Sequence, residues 1–494
     1  MPEPRSVLFI LADQFRADCL GAAGNPLLRT PALDEVAREG TWFTKGFVQT
    51  APCGPSRMCI FTSRYLCSTR AVNNMTPLPD AQENVAMALR AGGYAPALIG
   101  YNDYAVDPRI LPPEDPRTRS LSYDNFLPGL DVELNHTYDS PEYFEWLRRK
   151  GYPEALLSHE AIHKPNVPPE GPGEHLPLHF PAHYKTTDSE CRYVTERAVE
   201  YIQRRRGAPW VLSLNYLKPH PPAICAHPFN ALYDPAQMPG ANRRPEELED
   251  PHPYLRAVRK TPSLFAERDL RETQANYYGM LTELDACLGL LFRALKESGA
   301  WERTLIIFSS DHGEYLGDHY MNGKHSFYDE TMRVPYLVRD PSREADATRG
   351  RRLEHFVESI DSAPTILEWL GLPVPDRFQG QSVLGLVRGR PGARARTEIH
   401  YEYDFRMLFK ADAGQDPDRC LLWVVRDDAF KYVQFADERM PPLLYALKND
   451  PGEQQNRAAD PACALRVAEY AQRLLRWRMK NEDQRMEHWA WKYR

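Results

Sequence analysis

Short apolar runs alternate with amphipathic segments along the first 310 residues of the chain. The runs at 6–12, 94–100, 210–216 and 304–310 are continuous, which is typical of parallel strands buried on both faces. Helical segments are predicted between and around them at 31–39, 80–92, 141–150, 188–206 and 264–298. Because strands that alternate with helices indicate βαβ units, we expect an α/β fold with a mostly parallel central sheet flanked by helices.

The pattern changes after residue 360. An amphipathic helix is predicted at 359–371, ending at a glycine, and strand-like segments follow at 397–403, 420–426 and 430–435. A last helix is predicted at 463–480. These elements predict a small antiparallel sheet with a covering helix. We place the boundary near residue 390, which gives a large domain at 1–390 and a C-terminal α+β subdomain at 391–494.

Each of the four predicted strands of the large domain ends within a few residues of a polar side chain. These side chains are Asp13, Asp103, His220 and Asp311. In open parallel sheets, ligands bind outside the carboxyl ends of the strands, so residues far apart in sequence meet there. Any one of them alone is as well explained as a loop or cap residue. The four together indicate a functional site at one edge of the sheet.

The stretch T-A-P-C-G-P-S-R-M-C-I-F-T-S-R-Y at 50–65 offers a nucleophile and an anion-binding group together. Pro52 and Gly54 disfavour helix before Cys53, whereas Pro55 suits a first helical turn. Cys53 is therefore expected at or near a helix N-cap, where free N–H groups attract anions. Arg57 follows four residues later on the same helix face. This arrangement predicts a site for oxyanion transfer, and a buried structural cysteine is the ordinary alternative.

A divalent metal site is predicted from two of the strand ends. Asp13, Gln14, Asp311 and His312 provide carboxylate, amide and imidazole ligands. A cation held there would polarise an oxyanion ester and lower the pKa of a coordinated hydroxyl. Since an imidazole ligand suits manganese better than calcium, we favour Mn²⁺, with Ca²⁺ as the alternative.

Composition excludes several other classes of protein. The chain has 494 residues, 42% of them hydrophobic, and a net charge of −7, so it can bury a large core and gives no reason to expect nucleic-acid binding. No segment approaches transmembrane length, and the apolar run at 7–12 is too short for a signal peptide. Nine cysteines without a CxxC motif argue against a disulfide framework or a zinc site. A cytoplasmic enzyme without membrane association is the simplest interpretation.

The 50–65 stretch resembles the type I sulfatase signature. Cys53, Pro55, Ser56 and Arg57 match C-x-P-S-R, and Thr62-Ser63-Arg64 stands where the family usually has T-G-R. D-Q near the start, K-P-H-P-P and S-D-H-G-E-x-L-G-D-H extend the resemblance to the bacterial phosphonate monoester hydrolases, a branch of the sulfatase and alkaline phosphatase superfamily. The resemblance covers nearly the whole chain. It implies an alkaline-phosphatase-like core, one divalent metal, and a cysteine that a formylglycine-generating enzyme converts to formylglycine.

The resemblance also implies a role for each matching residue. Asp13, Gln14, Asp311 and His312 would bind the metal together with residue 53, and Cys53, as the formylglycine hydrate, would be the nucleophile. Arg57 would hold the nucleophile and the oxyanion. Lys324 and His220 would contact the side away from the metal and assist departure of the ester oxygen, and Tyr101 and Asn102 would join the substrate-binding residues.

Gly100-Tyr101-Asn102-Asp103 departs from the sulfatase pattern, which usually has Gly-Lys-x-His there. The phosphonate monoester hydrolases share the tyrosine but typically have threonine where Asp103 stands. A carboxylate can serve as a general base, and we hypothesise that Asp103 replaces the sulfatase histidine in that role. The alternative is that Asp103 only caps a loop or orients Tyr101.

These features predict a hydrolase of small anionic esters. We rank sulfate monoesters narrowly first, as in arylsulfatases, with promiscuity toward phosphonate monoesters and phosphodiesters. The first alternative makes phosphonate monoesters or phosphodiesters the main substrates, because they carry the same single negative charge. The second alternative, a catalytically silent binding protein, conflicts with the retention of every metal ligand and of the nucleophile. A homo-oligomer, dimer or tetramer, is expected.

Overall fold

The computed structural model describes residues 5–79, 81–118, 125–171, 177–249, 252–259, 267–409 and 416–482. An eight-stranded sheet lies at its centre, with the strand order β4-β3-β5-β1-β6-β7-β2-β8. Its strands are β1 (Ser6–Ala12), β2 (Thr41–Phe47), β3 (Pro96–Gly100), β4 (Asp131–Asn135), β5 (Val211–Asn215), β6 (Thr304–Ser310), β7 (Arg333–Arg339) and β8 (Arg351–Glu358). Only β7 runs against its neighbours β6 and β2, so the sheet is mostly parallel, as predicted.

Helices cover both faces of this sheet. The described helices are α1 (Pro31–Glu39), α2 (Cys53–Thr62), α3 (Leu66–Thr69), α4 (Val85–Ala91), α5 (Pro141–Arg149), α6 (His159–Ile162), α7 (Glu190–Arg204), α8 (Pro253–Val258), α9 (Glu267–Glu297), α10 (Asp329–Met332), α11 (Ser362–Leu370), α12 (Leu384–Val387) and α13 (Ala464–Lys480). Successive side chains of a strand point to opposite faces, so β1 contributes to two cores. Leu8 and Ile10 pack with α1, α7 and α9, whereas Val7, Phe9 and Leu11 pack with α2, α4 and α11.

A second sheet forms the C-terminal part of the chain. It has the antiparallel order β12-β11-β10-β9, with strands β9 (Ile399–Asp404), β10 (Leu421–Arg426), β11 (Phe430–Phe435) and β12 (Leu443–Ala446). Helix α13 covers one face, where Leu474 and Trp477 pack against Val425 and Tyr432. The predicted small antiparallel sheet with a covering helix is therefore confirmed. The boundary near residue 390 stays a prediction.

An ion-pair cluster links strand β11 of this second sheet to helix α10, which precedes β7 of the large sheet. Lys431 of β11 is fully buried, and its Nζ lies 2.5 Å from Glu453 Oε1 and 2.7 Å from Asp329 Oδ1. Asp329 begins α10, directly before β7. Lys431 and Glu453 are buried and Asp329 is half-buried, and the burial of such charges is tolerable only because they are paired.

The predicted strands are all present, but five strands gave no recognisable signal. β4 and β8 lie at the two edges of the large sheet, and their sequences D-V-E-L-N and R-R-L-E-H-F-V-E mix charged with apolar residues. β2, β7 and the four-residue β12 were also missed. Edge strands need no continuous apolar run, because only part of their surface is covered. In the described part of the chain, no helix is both long and apolar enough to cross a membrane.

Candidate active site

Helix α2 brings Cys53 to the carboxyl edge of the large sheet. Pro52 is the extended residue before the helix, and Cys53 is the first helical residue, one position later than a strict N-cap. All ten residues of α2 are buried. The N–H of Gly54 donates to Asn74 Oδ1 at 2.9 Å, so this first turn is also fixed from outside the helix.

The predicted metal ligands converge next to Cys53. Asp13 follows β1 and Asp311 follows β6, and these strands are neighbours in the sheet. One ligand atom from each of Asp13, Cys53, Asp311 and His312 lies within 4.8 Å of the others. His312 Nδ1 bonds the Gly313 carbonyl at 3.0 Å, which leaves Nε2 as the ligand atom, 3.7 Å from Asp13 Oδ1 and 3.6 Å from Asp311 Oδ1. Two carboxylates and an imidazole suit a divalent cation. The hydrogen bond from Nδ1 to Gly313 already fixes the ring orientation of His312.

Gln14 lies at the border of this group. Its backbone N–H donates to Asp311 Oδ1 at 3.1 Å, and its side-chain nitrogen donates to the Glu314 carboxylate. Its Oε1 therefore faces the site and accepts from Lys324 Nζ at 3.0 Å. Gln14 has a φ of 70°, an uncommon backbone conformation that turns the chain at the end of β1.

Arg57 is fully buried and is held by several partners at once. Its Nε donates to Asp311 Oδ2 at 2.8 Å, and its Nη2 donates to the Tyr101 hydroxyl at 2.8 Å. The guanidinium also lies 4.0 Å from the centre of the Tyr101 ring. The Tyr101 hydroxyl in turn donates to the Asp13 carboxylate. Arg57 is thus rigidly placed one turn after Cys53, which is the geometry that oxyanion binding requires.

The segment after β3 supplies the residues that depart from the sulfatase pattern. Asp103 is buried, has a φ of 52°, and places Oδ2 at 3.8 Å from Arg57 Nε. The Asn102 side chain instead engages the backbone, donating to the Asn125 carbonyl at 2.9 Å and accepting from the Leu127 N–H at 3.2 Å. In this conformation Asn102 fixes the loop, and its predicted contact with substrate stays a prediction.

Lys324 and His220 complete the group around Cys53. Lys324 Nζ lies 2.9 Å from Cys53 Sγ. His220 borders a small cavity of about 30 Å³ and contacts the Tyr138 hydroxyl through both ring nitrogens, at 3.1 and 3.2 Å. The cavity is lined by Asp13, Cys53, Asn74, Tyr101, Asp103, Thr137, Tyr138, Leu217 and His220. The structure therefore gathers the predicted nucleophile, metal ligands and anion-binding residues in one place.

Comparison with known proteins agrees with this geometry. The family model described as Sulfatase matches residues 5–372, and one described as N-sulphoglucosamine sulphohydrolase, C-terminal, matches residues 317–480. The chain belongs to the sulfatase family. The resemblance and the alkaline-phosphatase-like fold predicted from the sequence are both confirmed. Membership of this family, together with the relatives described next, identifies the protein as a hydrolase.

Three relatives show where in the family this sulfatase-family hydrolase lies. It is 38% identical to the multifunctional alkaline phosphatase superfamily protein PehA of Trinickia caryophylli, over 98% of this chain and 97% of that protein. It is 36% identical to the phosphonate monoester hydrolase of Agrobacterium radiobacter, whose crystal structure superposes with a TM-score of 0.90 over 97% of this chain and 96% of that one. It is 24% identical to an arylsulfatase of Clostridium perfringens, over 91% and 89% of the two chains.

The unmodified thiol of this hydrolase is a poor nucleophile. Burial, reinforced by the Asp13 carboxylate, raises the pKa of Cys53 well above its ordinary value, although Lys324 opposes the shift. Since the thiolate is the reactive form, a thiol held neutral in this way is a weaker nucleophile than an ordinary cysteine. The site therefore fits a family in which the cysteine is converted to another group.

Burial and neighbouring charges also shift the pKa values of Asp311, Asp13 and His220. Burial, reinforced by the Asp13 carboxylate, raises the pKa of Asp311 to about 8, although Arg57 and Lys324 oppose the shift. Burial raises the pKa of Asp13, but Lys324 first, then His220, His312 and Arg57, lower it below its ordinary value overall. Burial lowers the pKa of His220 to about 4, helped by Lys324, so its imidazole is neutral near pH 7.

Sequence reasoning did not identify four residues that line the cavity, which are Asn74, Thr137, Tyr138 and Leu217. Thr137 and Tyr138 follow the edge strand β4, whose polar sequence gave no strand signal. Asn74 lies in a loop and supports the first turn of α2 through its side chain. Prediction of β4 would have found Thr137 and Tyr138, because they lie within three residues of the carboxyl end of that strand, as Asp13 lies directly after β1.

Proposed function

We propose that this protein hydrolyses singly charged esters at phosphorus and sulfur, with phosphonate monoesters and phosphodiesters ahead of sulfate monoesters. This order reverses the narrow ranking made from the sequence. The reversal is supported by the similarity to the phosphonate monoester hydrolases of Agrobacterium radiobacter and Silicibacter pomeroyi, with TM-scores of 0.90 and 0.89. The sulfatase structures among the neighbours superpose with TM-scores of 0.70 or less.

The observation that carries the preference for a single negative charge is the set of charges around the nucleophile. Arg57 and Lys324 face three buried carboxylates, those of Asp13, Asp103 and Asp311. A divalent cation added to these groups would leave one excess positive charge. A monoanionic ester balances that charge, whereas a dianionic phosphate monoester adds a charge that burial makes costly.

The residues fit a resident metal and a modified Cys53. Asp13, Gln14, Asp311 and His312 would hold the metal, and we favour Mn²⁺ over Ca²⁺ because His312 Nε2 is directed into the site. When bound, a metal of this kind supplies Lewis-acid polarisation of the oxyanion. Cys53, Pro55 and Arg57 keep the pattern read by the formylglycine-generating enzyme, which we propose as a partner during maturation.

Arg57 and Lys324 would have different roles toward the substrate. Arg57 would bind the oxyanion through the guanidinium edge that Asp311 and Tyr101 hold in place. Lys324 would stabilise the negative charge that develops around the reacting centre, since its ammonium lies 2.9 Å from Cys53 Sγ.

His220 would have a positioning role in the conformation described. Its Nδ1 lies 2.8 Å from the Pro221 carbonyl, to which it donates, so Nε2 accepts from the Tyr138 hydroxyl. For His220 to donate a proton to the leaving oxygen, Nε2 must first be protonated. A cytoplasmic location and a dimer or tetramer stay predictions from the sequence.

A substrate panel tests the proposed function. The protein would be produced together with a formylglycine-generating enzyme and supplied with Mn²⁺, and kcat/KM would be measured for an aryl phosphonate monoester, a phosphodiester, an aryl sulfate and an aryl phosphate monoester. We expect the phosphonate monoester and the diester to be hydrolysed fastest and the phosphate monoester slowest. The Cys53→Ala variant is the control for contaminating activity. A fully modified, metal-loaded enzyme that prefers the dianionic phosphate monoester would contradict the proposal.

A further inference from the structure

A second cluster of metal-ligating side chains lies outside the catalytic site. His159 is the first residue of α6, His163 follows the last residue of that helix, and Glu190 is the first residue of α7. One ligand atom from each lies within 4.8 Å of the other two. The two histidines stand four residues apart, which places them on one face of a helical turn. His163 and Glu190 are buried and His159 is half-buried.

The distances in this cluster match those between the ligands of one metal ion and exceed those of charge-assisted hydrogen bonds. His159 Nδ1 lies 3.4 Å from Glu190 Oε1, and His163 Nε2 lies 3.3 Å from Glu190 Oε2. A charge-assisted hydrogen bond would be shorter, about 2.7–2.9 Å. In contrast, tetrahedral coordination with metal–ligand bonds of about 2.0–2.1 Å places neighbouring ligand atoms about 3.3 Å apart. Among the described residues, neither Glu190 Oε1 nor His159 Nδ1 has a hydrogen-bond partner, although both atoms are buried.

The surrounding contacts orient the ligands. His163 Nδ1 lies 2.9 Å from the His159 carbonyl, to which it donates, so the lone pair of Nε2 is directed at Glu190. The fully buried His136 places Nε2 at 3.8 Å from Glu190 Oε1. A ligating histidine commonly makes a hydrogen bond from its other nitrogen, as His163 does here.

We propose that His159, His163 and Glu190 bind a late first-row divalent cation, with Zn²⁺ the best match to two imidazoles and one carboxylate. Nine cysteines without a CxxC motif argued against a zinc site in the sequence, but the site proposed here uses no cysteine. The spacing His-Glu-x-x-His also occurs in metalloproteases, where the glutamate is the general base. Here the Glu160 side chain is 84% exposed and pairs with Lys164 at 2.8 Å, so it does not face the cluster. The proposed role is therefore structural.

The cluster lies next to residues that line the cavity beside Cys53. The Tyr138 ring centre lies 4.8 Å from that of His159, and the Tyr138 hydroxyl contacts His220. His136, which faces Glu190, directly precedes the cavity residues Thr137 and Tyr138. A cation that ties α6 to the start of α7 would thus fix the wall against which the substrate lies.

Metal binding can be measured without the catalytic metal. In the full-length Asp13→Asn/Asp311→Asn variant, the catalytic ligands are impaired, and Zn²⁺ or Co²⁺ alone would be added and the unbound metal removed by gel filtration. We expect about one equivalent of zinc by elemental analysis, and for cobalt the intense visible absorption of tetrahedral coordination. Adding His163→Ala should lower occupancy to below about 0.1 equivalent. Zinc should also raise the thermal midpoint of the parent variant and not that of the cluster variant.

Two further variants keep the test decisive. Glu160→Gln, in the same motif but facing solvent, is the matched control and should retain the metal. If His163→Ala does not fold, His159→Gln replaces it, because the His159 side chain is 18% exposed and its loss disturbs packing less. A folded parent variant that binds no zinc or cobalt, or that binds the same amount with and without the cluster histidines, would overturn the proposal. If no zinc or cobalt binds, the cluster is a set of packed polar side chains that holds no metal.

Discussion

Replacement of Asp103 by asparagine should relax the preference for singly charged substrates. Asp103 Oδ2 lies 3.8 Å from Arg57 Nε, so an oxyanion bound by that guanidinium would lie about 6 Å from the carboxylate. At an effective dielectric constant of about 20, one additional substrate charge at this distance costs about 3 kcal/mol, or roughly 100-fold in rate. Asparagine tolerates the left-handed backbone at this position, so the loop should be kept.

The assay is the ratio of kcat/KM for an aryl phosphate monoester to that for an aryl phosphonate monoester, measured well above the second phosphate pKa of about 6. We expect the ratio to rise by roughly 10- to 100-fold in Asp103→Asn. Asp107→Asn is the matched control, because its carboxylate pairs with Arg109 rather than Arg57. A ratio in Asp103→Asn that stays within the scatter of this control would refute the electrostatic reasoning.

The same variant separates the electrostatic role of Asp103 from the hypothesis that it is a general base. kcat/KM reports the steps up to the first irreversible one, whereas kcat also includes the release of the second product. If Asp103 accepts a proton late in the reaction, Asp103→Asn should show a burst of the first product followed by slow turnover. If kcat equals that of the parent enzyme and no burst appears, the general-base hypothesis is refuted and only the electrostatic role of Asp103 remains.

Three other predictions concern the nucleophile, the metal and the packing of the second sheet. Mass spectrometry of the peptide that contains Cys53 should show an aldehyde in place of the thiol, and Cys53→Ala should abolish turnover with an unchanged circular dichroism spectrum. Asp311→Asn should lower both manganese content and turnover by more than about 100-fold, and His312→Asn should shift metal preference toward calcium, as elemental analysis would show. Lys431→Met should lower the free energy of unfolding in urea by about 3–5 kcal/mol, because it leaves the buried Glu453 carboxylate without its cation, whereas Asp329 keeps its pair with Arg426; a change below about 1 kcal/mol would contradict this.

The sequence predicted the central part of the catalytic site because parallel topology determines which residues meet. β1 and β6 pair in register, with Ala12 opposite Ser310, so the residues that follow them, Asp13 and Asp311, must lie side by side. Continuous apolar runs marked both strands, and the polar residues after them marked the site. The same logic placed Asp103 after β3, although its contact with Arg57 could not be anticipated from spacing alone.

The wall of the cavity could not be predicted in this way. Strand β4 lies at the edge of the sheet and exposes its first three residues, so it has no apolar run to mark Thr137 and Tyr138. His159 and Glu190 approach each other through the packing of loop-linked helices, and no strand register connects them. The strand-end residues visible in the sequence therefore indicated the charge of the substrate, whereas the residues that contact its organic group could not be predicted.

The size of the cavity indicates which part of the site must adapt to that organic group. A cavity of about 30 Å³ admits only small groups beside the nucleophile, so the organic part of an ester must extend beyond it. The strand ends that carry Asp13 and Asp311 belong to a buried sheet and cannot move without breaking its hydrogen bonds. His220 is only half-buried and Tyr138 stands on a loop, so the opening for an ester must come from this side. A cation at His159, His163 and Glu190 would limit that movement, since it would hold the ring against which Tyr138 packs. Under the proposed function, oxyanion binding depends on the rigid strand ends, and selection of the ester group depends on the loop that carries Tyr138.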